Sequence, residues 1–174
     1  RDLLGIEAMA QTRGVDASFA RQLLNHSDHM RDWTLRTITR LRQARSIERL
    51  GILGLAYKPG TTSTRGGSGV ALIEALGPAL DLLAYDPAVQ LADLPAGIRV
   101  RIAESAEQVL AECDAVAVTT PWPQFIEPLR TAVGSGRWPF IVDPYRVVHR
   151  DWFHGHPRQI SQLGVSPQGG MSDD

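Results

Sequence analysis

The sequence predicts an α/β fold, a doubly wound and mainly parallel sheet preceded by a long helical segment. Three observations predict it. Short, nearly continuous apolar runs recur between residues 50 and 163, helical patterns separate several of them, and a much longer helical pattern precedes the first. An apolar run of strand length without polar alternation marks a strand covered on both faces. Alternation of such strands with helices requires crossover connections, which are right-handed and place helices on both sides of a sheet.

Taken in order, residues 2–12 form a short helical pattern closed near Gly14. Asp16 is placed to cap a second helix reaching about Ala44, in which Phe19, Leu23, Met30, Trp33, Leu35, Ile38 and Leu41 recur at helical spacing. A helix that long must pack along much of its length, on its own domain or on a second subunit. Strands are expected at residues 50–56, 80–85, 98–102, 115–119 and 140–142, with a weaker one at 159–163. Between them, Ser68 is placed to cap a helix over residues 69–76. Ser105 and Gln108 form a capping-box pattern for a helix to about Glu112. Thr120 followed by Pro121 reads as an N-cap and first helical position, opening a helix to about Val133. The division expected is a helical segment at 1–46, an α/β domain at 47–165 and a loose Gly- and Ser-rich tail at 166–174.

The 174 residues are 43% hydrophobic and 21% charged, with a formal net charge of −1. That composition is globular, and it supplies no general basic field for nucleic acid. No apolar run approaches the roughly 18 residues of a membrane span, and no signal peptide pattern is present. The single cysteine, Cys113, excludes an intrachain disulfide and is compatible with a reducing cytoplasm.

Ligands of parallel α/β sheets bind at the carboxyl ends of the strands. That rule selects the loop from Tyr57 to Ser68, the Tyr85-Asp86-Pro87 turn, the turn from Thr119 to Trp122, and the segment from Asp143 to Arg146. The first offers Lys58, Arg65, five hydroxyl side chains from Thr61 to Ser68 and several glycines beside a helix start. Backbone N–H groups there can receive an anion and the cations can neutralise it. The loop is neither a G-x-G-x-x-G fingerprint nor a Walker A loop, and a plain surface loop is the competing reading. Asp86 ends the second strand, where dinucleotide folds place a ribose-binding acid. Without the glycine fingerprint an Asp–Pro turn is preferred. Cys113 is expected to be a buried thiol, and His149, His154 and His156 surface histidines with no metal, since no ligand set completes them.

The run from Leu53 to Thr61 (L-G-L-A-Y-K-P-G-T) resembles the signature that opens the C-terminal domain of the UDP-glucose/GDP-mannose dehydrogenase family. Further landmarks follow in family order: Tyr85-Asp86-Pro87, Cys113-Asp114-Ala115-Val116, Thr120-Pro121-Trp122 through Phe125, and Asp143. Arg1-Asp2 resembles the end of the family's C-x-P-[KR]-D catalytic motif, and the long helix with Asn25 its central, dimer-forming helix. The resemblance covers about residues 1–165 and implies a Rossmann-like sheet.

It further implies an enzyme that oxidises the primary alcohol of a nucleotide sugar, most simply a UDP-sugar, to a uronic acid with two NAD. The nucleophilic cysteine and the NAD-binding domain would lie outside this chain, which would be inactive alone and not bind NAD tightly. Asp2 would assist proton transfer and hydrolysis. Tyr57, Lys58 and Arg146 would contact the nucleotide sugar, Arg65 would reach the cofactor, and the long helix would make a cytoplasmic homodimer. Ser63 stands where the family has Asp, Gly66-Gly67 where it has Glu-Ser, and Pro144-Tyr145 where it has Gly-Arg. A noncatalytic nucleotide-sugar-binding or dimerisation module, or an unrelated flavodoxin-like domain, are the competing readings.

Overall fold

A computed structural model describes residues 2–135, 138–152 and 159–163, and of residues 2–4, 20, 23–32 and 150 the backbone alone. His154, His156 and the tail at 166–174 lie outside the described residues.

The apolar runs form six parallel strands: β1 (Arg49–Leu53), β2 (Asp81–Tyr85), β3 (Arg101–Ile102), β4 (Ala115–Val118), β5 (Phe140–Asp143) and β6 (Ile160–Gln162). Their order across the sheet is β3-β2-β1-β4-β5-β6. The expected Rossmann-like fold is therefore observed. The chain winds one way from β1 to β3 and the other way from β4 to β6, so the order reverses between β1 and β4. Helix α1 (Asp2–Arg13) packs on α2 (Ser18–Ala44), whose far end reaches the sheet. There Ile38 is fully buried and the Arg45 guanidinium lies 5.4 Å from the centre of the Phe140 ring. Helix α3 (Ser68–Leu76) joins β1 to β2, and α4 (Ala106–Glu112) and α5 (Ile126–Gly134) pack together on the sheet's opposite face, as right-handed crossovers demand.

The central strands are buried on both faces, with Leu50, Ile52, Leu53, Ala115, Val116, Ala117 and Val118 all inaccessible. Gly51 lets α4 descend onto β1. A Cβ at that position would lie 2.5 Å from Val109 Cγ1 and 2.8 Å from Val116 Cγ2. Cys113 fills the same layer at the amino end of β4, and burial pushes its thiol pKa up to about 12. It is a packed thiol with negligible thiolate at neutral pH. On that same rim Arg49 Nε donates to Asp81 at 2.7 Å, a bond that holds the carboxyl below its ordinary pKa, and Arg101 joins at 3.3 Å.

Several element ends differ from expectation. β1 stops at Leu53 because Gly54 takes φ +108°, outside any strand. The edge strand β3 keeps two residues, paired only with Leu83 and Ala84. Ser68 does not cap α3; Gly67 holds that position with no side-chain bond. Thr120 does not cap a helix either. A 3-10 turn (Pro123–Phe125) intervenes before α5. At α2 the N-cap is Ala17, with no side-chain cap bond, while Asp16 one residue earlier accepts Ser18 N–H at 2.8 Å, a bond that lowers its pKa. In the capping box Ser105 accepts Gln108 N–H, whereas the Gln108 side chain accepts from Glu104 N rather than from the cap residue.

Candidate functional site

The reversal between β1 and β4 opens a crevice at the strands' carboxyl ends, where ligands of doubly wound sheets sit. Here its floor is laced shut. Gly54 N–H donates to Tyr85 O at 2.9 Å, and Thr119 N–H to Leu53 O at 2.8 Å. The Thr119 hydroxyl is directed at Leu53 O and Gly54 O, and the Thr120 hydroxyl donates to Ala56 O at 2.6 Å. That bond is why Thr120 is no helix cap. Two glycines allow the backbones so near. A Cβ on Gly54 would lie 2.4 Å from Thr120 Cβ, and one on Gly69 2.3 Å from Gly54 O.

Above this floor lies an open cleft of about 670 Å³. Pro59 and Gly60 form one bank, and Trp122, Pro123 and Gln124 the other. The bank after β1 is a closed ring rather than a free strap. Tyr57 N–H donates to Ser63 O at 2.7 Å, Gly67 N–H to Thr64 O at 3.0 Å, and the Thr64 hydroxyl to Asp93 O at 3.3 Å. Tyr57 is 59% exposed, and Lys58 and Arg65 are exposed. Neither cation has an ion-pair partner among the described residues. The start of α3, uncapped by any side chain, stands against Gly54. Unpaired cations beside free helix N–H groups are suited to an anion such as a diphosphate.

Asp86 is turned away from solvent. Its Oδ2 accepts from Leu55 N (2.7 Å), Ala56 N (2.9 Å) and Trp122 Nε1 (3.1 Å), and its Oδ1 from Ala88 N (2.8 Å) and Val89 N (3.1 Å). With five donors and 6% exposure it has no capacity left for a ribose hydroxyl. The preferred Asp–Pro turn is what the structure shows, and the end of β2 does not fit a dinucleotide. NAD has no seat on this sheet's own acid.

Asp143 plays a similar role at the end of β5. Fully buried, it accepts from Tyr145 N at 3.2 Å, Val148 N at 2.8 Å and Gln162 Nε2 at 3.1 Å. Arg146, in the left-handed region at φ +56°, donates from Nη2 to Leu163 O at 3.0 Å. Like Tyr57, Lys58 and Arg65, it is not among the residues lining the cleft. Asp2 opens α1, and its side chain lies outside the description. The structure thus gathers Tyr57, Lys58 and Arg65 on one loop. Among the described residues no cluster of three metal-ligating side chains occurs, and no helix is long and apolar enough to cross a membrane.

The sequence selected the turn from Thr119 to Trp122 and Asp86 by position but not what they do: the two threonine hydroxyls bond the backbone after β1, and Asp86 joins that backbone to Trp122. Their position after an apolar strand was the available signal. Apart from Ala88 and Val89 beside Asp86, their side-chain partners lie 30 to 66 residues away, and no local pattern reveals them.

A family model described as "UDP-glucose/GDP-mannose dehydrogenase family, UDP binding domain" matches residues 51–150. The UDP-glucose 6-dehydrogenase AglM of Haloferax volcanii is 29% identical over 86% of this chain and 35% of its own length. A UDP-glucose 6-dehydrogenase of Pseudomonas aeruginosa is 26% identical over 97% of this chain and 38% of its own. The chain therefore spans little more than a third of these curated relatives. The ternary-complex structure of GDP-mannose dehydrogenase from Pseudomonas aeruginosa superposes with a TM-score of 0.73 at 20% identity, over 92% of this chain and 37% of that one. A UDP-glucose dehydrogenase from Pyrobaculum islandicum gives 0.66 at 22%, over 82% and 32%. These two likenesses establish the fold.

Proposed function

Because the chain belongs to the UDP-glucose/GDP-mannose dehydrogenase family through its UDP-binding domain, we propose that it supplies the nucleotide-sugar side of an NAD-dependent 6-dehydrogenase. In this reading the enzyme oxidises the primary alcohol of a UDP-sugar to a uronic acid. The observation that carries it is the loop between β1 and the uncapped start of α3, which bears the exposed, unpartnered Lys58 and Arg65 and lends Pro59 and Gly60 to the strand-end cleft. Lys58 and the first N–H groups of α3 take the diphosphate, and Tyr57 covers the nucleoside or sugar. Arg65 reaches toward a cofactor held outside these residues. Arg146, tied to Leu163 O, contributes from the neighbouring strand end. Asp2 assists proton transfer to and from the reacting oxygen. NAD, when bound, accepts the hydride. Cys113, buried at the opposite rim, is not the nucleophile of this chemistry.

Calorimetry with UDP on the 174-residue chain tests the site. Wild type is expected to bind weakly, and Lys58→Ala about tenfold more weakly, the worth of one charge-assisted hydrogen bond. Equal binding by both proteins, or none by wild type, removes the assignment. One observation favours a noncatalytic binding module as second reading. The Gly66-Gly67 pair is built into the loop, since a Cβ on Gly67 would lie 2.9 Å from Leu55 O. The family's Glu-Ser would not fit this path. UDP binding together with no sugar oxidation in the full-length protein would select that reading.

The dimer belongs to the same proposal. Ile6, Met9, Val15 and Phe19 are 53%, 59%, 62% and 75% exposed on or beside α1 and α2. That apolar surface is suited to a second copy. Light scattering is expected to return twice the chain mass; a monomer mass at micromolar concentration would count against pairing.

A further inference from the structure

We propose that Asp86 is a positioning residue of the cleft, fixing the Trp122 wall against the loop after β1 before any ligand arrives. The inference rests on the reading above that the cleft takes a nucleotide, and it concerns how the cleft acquires its shape.

Three donors from two different loops converge on a single oxygen. Leu55 N–H and Ala56 N–H come from the segment that leads into Pro59 and Gly60, and the Trp122 indole N–H comes from the opposite bank. The second oxygen holds Ala88 and Val89, so the carboxylate is itself anchored to the turn after β2. Asp86 has no access to a ligand, and its influence passes through the groups it holds. Trp122 is 7% exposed yet lines the cleft, so the indole is clamped from behind while one edge faces the opening.

Only an ionised carboxylate satisfies this arrangement, because all five partners are donors and a carboxylate accepts on both oxygens. An asparagine has nearly the same shape but must turn an NH2 toward either the Leu55, Ala56 and Trp122 donors or the Ala88 and Val89 donors. Either orientation breaks at least two hydrogen bonds without changing the packing. Trp122→Phe is the complementary change: it removes a single donor and keeps an aromatic ring in place.

The test uses the 15N-labelled 174-residue chain. Its four tryptophans give four indole N–H signals, and the one lost in Trp122→Phe identifies Trp122. In wild type that signal is expected to exchange slowly with solvent. In Asp86→Asn it is expected to move and to exchange at least roughly tenfold faster, with the Gly60 and Gln124 amides shifting too, and UDP affinity is expected to fall about tenfold, as the loss of hydrogen bonds to a charged acceptor implies. Trp122→Phe is expected to keep the wild-type melting temperature within a few degrees and still lose UDP affinity. A folded Asp86→Asn protein with an unmoved indole signal, or with wild-type UDP affinity, overturns the proposal. If Asp86→Asn does not fold, undiminished UDP binding by Trp122→Phe overturns it instead. Absence of UDP binding by wild type removes the nucleotide reading alone; the indole exchange and the Gly60 and Gln124 shifts then decide the positioning role.

Discussion

Gly54→Ala is expected to lower the melting temperature by about 10 °C or more. Two independent penalties combine. At φ +108° an L side chain is strained, which costs on the order of 1–3 kcal/mol. The added Cβ would also sit 2.4 Å from Thr120 Cβ and 2.6 Å from Thr120 N. Thr120 cannot yield, because its hydroxyl holds Ala56 O at 2.6 Å and its backbone leaves the end of β4. Overpacking of this kind adds roughly 1–3 kcal/mol. The total is a substantial fraction of the roughly 5–15 kcal/mol by which domains are stable. At roughly 2–4 °C per kcal/mol for a chain this long, circular dichroism resolves it easily. Gly97→Ala provides the contrast. It has φ +82° but nothing within 4 Å of the new Cβ, so it carries strain alone and is expected to shift the midpoint by only a few degrees. Equal shifts for the two variants would show that the close approach to Thr120 contributes nothing.

Phe125→Ala is expected to destabilise by about 3–5 kcal/mol, the range for deleting a fully buried ring. The ring lies 6.2 Å from that of Tyr85, tilted by 58°, so the cavity would open between the ends of β2 and β4. The consequence reaches the cleft. Phe125 N–H donates to Trp122 O at 3.1 Å and closes the turn that presents Trp122, Pro123 and Gln124. Loss of the ring is therefore expected to weaken UDP binding as well as folding. Ile126→Ala, one residue later and 43% exposed, is expected to be close to neutral in both. Chemical denaturation read alongside calorimetry separates the two effects. A Phe125→Ala protein that loses stability yet binds UDP normally would show that the turn keeps its shape without its anchor.

The parts of the fold that were legible are those whose cause is local. The apolar runs at β1, β2, β4 and β5 announce buried parallel strands, because a strand covered on both faces has no polar position to show. What escaped was set by contacts distant in the chain. Gly54 sits inside an unbroken apolar run, and only the approach of Thr120 and Gly69 explains why the strand ends before it. Residues 98–100 read as strand but find no partner, since β2 offers the edge only Leu83 and Ala84. At the site, the charges of Lys58 and Arg65 and the glycines around them were visible as a composition. The opposite bank was visible only as a position after a strand, because nothing local shows that the Trp122 indole is held by Asp86.

The two outermost strands among the described residues have a consequence for assembly. β3 has two residues and β6 three, and Arg101 on β3 engages Asp81. A passing strand would find only a few backbone groups to pair with at either margin, and a charged side chain at one of them. Short, charged edges of this kind discourage edge-to-edge aggregation of sheets. Sheet extension is thereby disfavoured as a route by which copies of this chain could join, and a contact that closes on itself leaves no free edge to propagate as a fibre.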